Sequence, residues 1–129
     1  MASQMSTYLQ NAVINATLRA TSYTSPATVY VGLFTTTLNA AGTGTEVSGG
    51  SYARTAVTIG APSSGASTNS ANVVFPTATA SWGTVTYMGV YDASTAGNLL
   101  YFAPLTTSKT IDTGDIFQIS SSNLSVSLA

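Results

Sequence analysis

Few side chains in this sequence could carry out chemistry. The 129 residues include four acids and three bases, with no histidine and no cysteine. Without an imidazole or a thiol, the chain lacks the parts of Ser-His-Asp and Cys-His nucleophilic sites and of the commonest zinc sites. A serine–lysine pair would need Lys109 desolvated beside a serine, whereas this lysine lies in a polar Thr-Ser-Lys-Thr run just before a turn. The sequence therefore predicts no nucleophilic enzyme.

A pair of carboxylates is the remaining catalytic option. The four acids are Glu46, Asp92, Asp112 and Asp115. A glycan-cleaving pair would have to flank a cleft, but Asp112 and Asp115 bracket Thr113-Gly114 and Asp92 opens another turn sequence, where aspartate ordinarily bonds nearby backbone. Calcium in the 112–115 turn would need more oxygen ligands than two carboxylates supply. We therefore predict no catalytic, cofactor-binding or metal-binding residue.

The strongest turn signal is the stretch Glu46-Val47-Ser48-Gly49-Gly50-Ser51-Tyr52-Ala53-Arg54. Its Gly-Gly pair suits a chain reversal, because glycine reaches positive φ without a Cβ clash. A reversal there brings Glu46 near Arg54. The pair would then fix the loop as a partly exposed ion pair worth about 0–1 kcal/mol. We also predict that Glu46 and Arg54 act as an orienting pair at a partner interface.

One helix is expected to precede this loop, over residues 6–20. Apolar residues recur there at intervals of three and four, after Ser3 or Ser6 as a possible N-cap. A second apolar row, Tyr8, Ile14 and Leu18, widens the apolar arc. Such a helix is either buried between layers or covered by a partner. Tyr8, Ile14 and Leu18 are our predicted outward contacts with that partner.

Residues 27–129 alternate strands and turns. Val29–Phe34 is apolar on both faces and is expected to be a central strand. A long strand follows Trp82, with Met88 and Val90 on one face and Val85 on the other. About seven to eight strands with regular turn signals indicate a mainly β fold, an antiparallel β-sandwich or flattened barrel with one N-terminal α-helix. We expect residues 1–129 to form a single domain.

The surface is unusually poor in charge. Charged residues make up 5% of the chain, against about 25% in an average soluble domain. Charged side chains are the ordinary means of blocking edge strands, so an assembly is expected: a homo-oligomer, as a trimer or as copies bound to a lattice. Three bases and a net charge of −1 argue against nucleic acid and anionic membrane as partners. The start of the chain does not look like a secretory signal, and no apolar run reaches the roughly 18 residues of a membrane span.

Five segments of the sequence form a recognisable pattern: Ser6-Thr7-Tyr8-Leu9, Ala27-Thr28-Val29-Tyr30-Val31-Gly32-Leu33-Phe34, the Glu46–Arg54 stretch, Ala80-Ser81-Trp82-Gly83-Thr84-Val85-Thr86 and Gly114-Asp115-Ile116-Phe117. Together they resemble a family of small virion proteins of tailed bacteriophages, usually labelled tail fibre or minor structural proteins. The likeness covers nearly the whole chain and implies a structural role without a catalytic motif.

Resemblance and low charge together lead us to expect a virion protein. Our main hypothesis is a capsid decoration (cement) protein that binds the major capsid protein and stabilises the expanded head shell by mass action. The alternative is a minor tail or tail-fibre component that contacts tail proteins or host surface glycan, because its aromatic residues could form a sugar-stacking platform. Those aromatic residues are Tyr30, Tyr52, Trp82, Tyr87, Tyr91 and Tyr101. A third hypothesis is a carboxylate-dependent glycan hydrolase.

Overall fold

Residues 3–128, the part of the chain that this computed structural model describes, contain nine strands and one helix joined by turns and loops. The mainly β class with one N-terminal helix is confirmed. The elements are β1 Gln4–Met5, α1 Thr7–Leu18, β2 Val29–Phe34, β3 Thr55–Val57, β4 Ala66–Thr68, β5 Val73–Val74, β6 Gly83–Tyr91, β7 Leu99–Ile111, β8 Gln118–Ile119 and β9 Ser125–Ser127.

A five-stranded antiparallel sheet with the order β1-β7-β6-β2-β3 forms the body of the molecule. The predicted strand β2 is paired on both sides, with β3 and with β6. Two small antiparallel sheets, β4-β9 and β5-β8, accompany it. The arrangement is therefore sandwich-like, and the main sheet does not close into a barrel.

Each face of the main sheet carries an apolar cluster. Val31 and Leu33 belong to the larger cluster and Phe34 to the smaller one. Since successive residues of a strand point to opposite faces, the two clusters lie on opposite sides of β2. The larger cluster also contains Phe75 and Phe117, which flank the small sheet β5-β8. Side chains of the second layer therefore fill one face of the main sheet.

The helix lies on the surface rather than between layers. Ser6 caps it, accepting a hydrogen bond from the Leu9 amide at 3.1 Å while its own hydroxyl donates to the Leu99 carbonyl. Leu9 is the buried residue of the helix. Of the two positions expected for this helix, burial between layers is therefore not what the structure shows. No helix within residues 3–128 is long and apolar enough to cross a membrane.

The predicted facing of Val85 is wrong. Val85 lies in the same cluster as Met88 and Val90, although simple alternation puts it on the other face. The cause is an irregularity in pairing: Val85 pairs with Lys109 but Tyr87 pairs with Pro104, so Thr86 alone stands opposite the four residues 105–108 of β7. Such a bulge in the pairing breaks the regular alternation of faces, so that Val85 lies on the core face.

Candidate functional site

The loop between β2 and β3 reverses at Gly49 and Gly50, as predicted. Both glycines have positive φ, and Ser51 follows with φ 64°. Gly50 is doubly constrained, because a Cβ there would lie 2.9 Å from both the Ala80 carbonyl oxygen and Trp82 Nε1. The reversal brings Arg54 Nε to 2.9 Å from Glu46 Oε2 and Arg54 Nη2 to 2.9 Å from Glu46 Oε1. The predicted proximity of Glu46 and Arg54 is confirmed, in a two-point ion pair.

Tyr52 completes this pair by joining it to the sheet. Its hydroxyl donates to Glu46 Oε2 at 2.6 Å and accepts from the Leu33 amide at 2.9 Å. The pairing of β2 with β3 ends at Val31, so the Leu33 amide has no carbonyl of β3 as its partner and bonds the Tyr52 hydroxyl instead. Burial, followed by the hydrogen bond to Glu46, raises the pKa of Tyr52 well above its ordinary value. The tyrosine is therefore a neutral structural donor at all ordinary pH values.

Arg54 holds a second loop in addition to its own. Its guanidinium carbon lies 3.7 Å from the centre of the Tyr91 ring, and Nη1 donates to the carbonyls of Ala93 (3.2 Å) and Ala96 (2.7 Å). Burial lowers the pKa of Arg54, but the hydrogen bonds and charge of Glu46 outweigh it and the pKa is raised. Arg54 thus stays charged and ties the β6–β7 loop to the β2–β3 loop.

Gly32 makes room for this cluster at the middle of β2. A Cβ on Gly32 would lie 2.9 Å from Glu46 Oε2, 3.3 Å from the Tyr52 hydroxyl and 3.4 Å from Arg54 Nε. Sequence reasoning missed the parts played by Gly32, Tyr52 and Tyr91. A glycine inside an otherwise apolar strand was the available signal, since it marks a close approach of other atoms.

The cluster Glu46, Tyr52, Arg54 and Tyr91, here called the Arg54 cluster, works mainly within the chain. The side chain of Arg54 is 9% exposed and that of Glu46 is 26% exposed. Four donor contacts of Arg54 are made to groups of its own chain. The interface role of Glu46 and Arg54 stays a prediction, limited to the exposed edge of the carboxylate.

The predicted contact residues of the helix are exposed. Tyr8 is 43%, Ile14 51% and Leu18 79% exposed. Ile14 and Leu18 are four residues apart and share one strip of the helix, while Tyr8 is offset around the axis near its start. No residue of Thr7–Leu18 is charged. The structure thus presents an uncharged helix surface, the outer helix surface, made by Tyr8, Ile14 and Leu18.

The remaining acids form turns, as predicted. Asp92 Oδ1 accepts from the Asn98 amide at 2.7 Å, and Asp115 Oδ2 accepts from the Asp112 amide at 2.9 Å. Within residues 3–128, no group of three or more acidic side chains comes together that could hold a metal ion. Trp82 and Tyr91 of the hypothetical sugar platform are buried, and Trp82 packs edge-on against Tyr52 with ring centres 5.3 Å apart.

A match to a known protein family supports the likeness to small phage virion proteins. A family model described as podophage GP4 fiber I protein gp80 matches residues 4–127, almost the whole chain. No curated protein matches the sequence. The matched range includes the helix, all nine strands and the Arg54 cluster.

Proposed function

Because the chain belongs to the podophage GP4 fiber I protein gp80 family, we propose that it is a structural component of a phage tail fibre. The match over residues 4–127 is the observation that carries the proposal. It favours the tail-fibre hypothesis over the head-decoration hypothesis, since the family description names a fibre and no match names a shell protein. In both cases the protein acts in the virion.

The fold suits a part that is held in place by neighbouring proteins. The Arg54 cluster joins β2, the β2–β3 loop and the β6–β7 loop, so these parts of the sheet are fixed relative to one another. The outer helix surface then offers apolar side chains on a fixed body. Burial of a large apolar side chain is worth about 1.5–3 kcal/mol, so Ile14 and Leu18 alone can supply much of a docking energy. The proposed partner is a tail protein or a second copy of this chain.

Copy number and position in the virion test the proposal. We expect labelled antibodies against this protein to decorate tails of purified particles, and quantitative mass spectrometry to give few copies relative to the major capsid protein. A fibre contributes few copies, whereas a decoration protein covers the shell in hundreds. Labelling spread over the head, with a stoichiometry near that of the capsid subunit, would contradict the fibre and restore the decoration hypothesis.

A further inference from the structure

A groove lies between the second half of β7 and the segment that contains β8. Its volume is about 660 Å³, within the range of small-ligand sites. One wall comes from Leu105, Thr106, Thr107 and Lys109, and the other from Ile116 to Ile119 together with Asn123. We call it the β7–β8 groove. None of the roles assigned above to the Arg54 cluster or the outer helix surface uses it.

The irregular pairing of β6 and β7 creates one wall of the groove. Residues 105–108 stand opposite Thr86 alone, so β7 has more chain than the ladder can use and departs from regular pairing here. Bulges of this kind occur preferentially where a strand must aim its side chains at a site. At this bulge, Leu105, Thr106 and Thr107 are turned toward the groove.

Polar side chains around the groove are free to bond a ligand. Thr106, Thr107, Lys109, Gln118 and Asn123 are all exposed. Neighbouring polar groups are occupied, since Thr110 bonds Thr84 and Asp115 accepts from the Asp112 amide. The five rim side chains make no comparable bond within residues 3–128. They offer hydroxyl and amide groups, which both donate and accept hydrogen bonds, and one ammonium group, which only donates.

Apolar groups complete the lining. Phe117 is buried below the groove, Leu105 is half-buried, and Ile116 is 55% exposed. A ligand that fits must therefore combine many hydroxyl-like groups with an apolar face. Lys109 is the positively charged residue of the rim, while Asp112 and Asp115 lie in the adjoining turn. A polyanion would be attracted by Lys109 but repelled by the two carboxylates. This balance favours an uncharged ligand.

We propose that the β7–β8 groove binds a neutral saccharide through Thr106, Thr107, Lys109, Gln118 and Asn123. The ring's C–H face packs on Ile116 and Leu105, and its hydroxyls bond the rim side chains. The proposal rests on the proposed fibre function, which would bring this groove to a cell surface. A millimolar Kd at each groove is enough for attachment to a cell surface, because several copies on one particle bind together and a high effective concentration raises the overall avidity.

Saturation-transfer NMR on the purified full chain tests this site. The probes are glucose, galactose, mannose, rhamnose, N-acetylglucosamine and N-acetylgalactosamine, each at about 10 mM so that a millimolar Kd is detected. We expect transfer to at least one sugar, with amide shifts confined to residues around 105–109 and 116–123. The double variant Gln118→Ala/Asn123→Ala should weaken binding at least about tenfold.

A matched control and a second variant keep the test decisive. Gln10→Ala/Asn11→Ala removes the same two side-chain types from the exposed helix and should leave binding unchanged. Thr107→Tyr fills the groove from the opposite wall and should also abolish binding. This variant replaces Gln118→Ala/Asn123→Ala in the test if the double variant does not fold. Transfer to none of the six sugars, or shifts centred elsewhere, would overturn the proposal.

The result is separable from the fibre function. Tail labelling without sugar binding would leave the fibre and remove the saccharide site, whereas sugar binding by a protein found on the head would do the reverse. If the rim amides shift with a purified tail protein and not with any sugar, the groove is a protein interface and the saccharide proposal fails.

Discussion

Arg54 and Glu46 form the ion pair found in the described part of the chain, and both belong to a closed set of bonds. Tyr52 shares the Glu46 carboxylate, and Tyr91 covers the guanidinium of Arg54. In such a set, removal of one partner leaves the other charge poorly solvated and without its bonds. The pair is therefore worth more to the fold than the isolated surface pair expected from the sequence.

Truncation of either partner should reveal this dependence. We expect Arg54→Ala and Glu46→Ala each to lower the free energy of unfolding by about 2–4 kcal/mol, and the double variant to cost less than the sum. Urea denaturation of the four proteins measures the coupling. Arg19→Ala, an exposed base at the helix end, serves as the control and should change stability by no more than about 0.5 kcal/mol. Additive effects would show that the two residues act independently.

Gly32 gives a prediction about space rather than charge. We expect Gly32→Ala to destabilise the protein by about 1–3 kcal/mol, because the new methyl group would push the Glu46 carboxylate out of its bonds. Gly60→Ala is the matched control: its Cβ would meet nothing closer than 3.5 Å, and its φ is not positive. Thermal unfolding of both variants decides the matter, and equal melting temperatures would refute the close-approach explanation.

The tyrosines predict a pH dependence with a definite sign. Burial raises the pKa of Tyr52 and of Tyr91, so both keep their protons in the native state at pH values where the unfolded chain has lost them. The native state then binds more protons, and stability falls as pH rises. We expect unfolding free energy to decrease above about pH 10, the ordinary tyrosine pKa. Tyr52→Phe should be less stable at pH 7 but lose less on going to pH 11, as denaturant titrations at the two pH values would show.

Among the elements, the helix was predictable because its signals are local. Ser6 as N-cap and apolar residues three and four apart fix Thr7–Leu18 within two residues of the expected 6–20. Its position on the surface was not predictable, since an apolar arc does not say whether the covering layer is the same chain. Tyr52 was missed for a related reason: its hydroxyl bonds the Leu33 amide, 19 residues away, and no periodicity records such a contact.

Strand β6 shows where alternation fails as a guide. The residues Val85 to Val90 alternate well enough to predict one regular strand, yet the register shifts between Val85 and Tyr87, because β7 brings four residues to the point where β6 brings only Thr86. Register depends on both strands, so one strand's pattern could not reveal the irregularity. The reversal at Gly49-Gly50, by contrast, needs only local backbone freedom and was found.

The helix carries the prediction about docking. We expect Tyr8→Ala/Leu18→Ala to reduce incorporation into particles at least about fivefold in competition with the natural protein, while the unfolding free energy changes by no more than about 0.5–1 kcal/mol. Leu18 is 79% exposed and contributes little packing to the free domain, while Tyr8 is 43% exposed and contributes part of its ring. Ser94→Ala/Thr95→Ala, a control pair in the exposed β6–β7 loop and away from the helix, should compete equally with the natural protein. If the melting temperature falls steeply while incorporation is kept, these residues serve the fold and not the partner.

At the scale of the whole molecule, the scarcity of charge leads to a prediction about self-association. With 5% charged residues, electrostatic repulsion between copies is weak, and we expect contacts between them to be made by uncharged groups. We expect the isolated protein to self-associate at micromolar concentration, and the association to weaken little between about 0.05 and 1 M salt, because screening acts on charges that are nearly absent. Sedimentation velocity at the two salt concentrations measures both. A monomer throughout, or dissociation by salt, would contradict this.

Arg54 binds the β6–β7 loop through the main-chain oxygens of Ala93 and Ala96. Because every amino acid has a main-chain oxygen, these bonds do not depend on the side chains of the loop. Ser94 and Thr95 stand between those two anchors with exposed side chains. A thiol introduced at either position would be unique, since the natural chain has none. The loop is thus a suitable attachment point for a dye or a gold particle, through which the position of this protein in a particle can be followed.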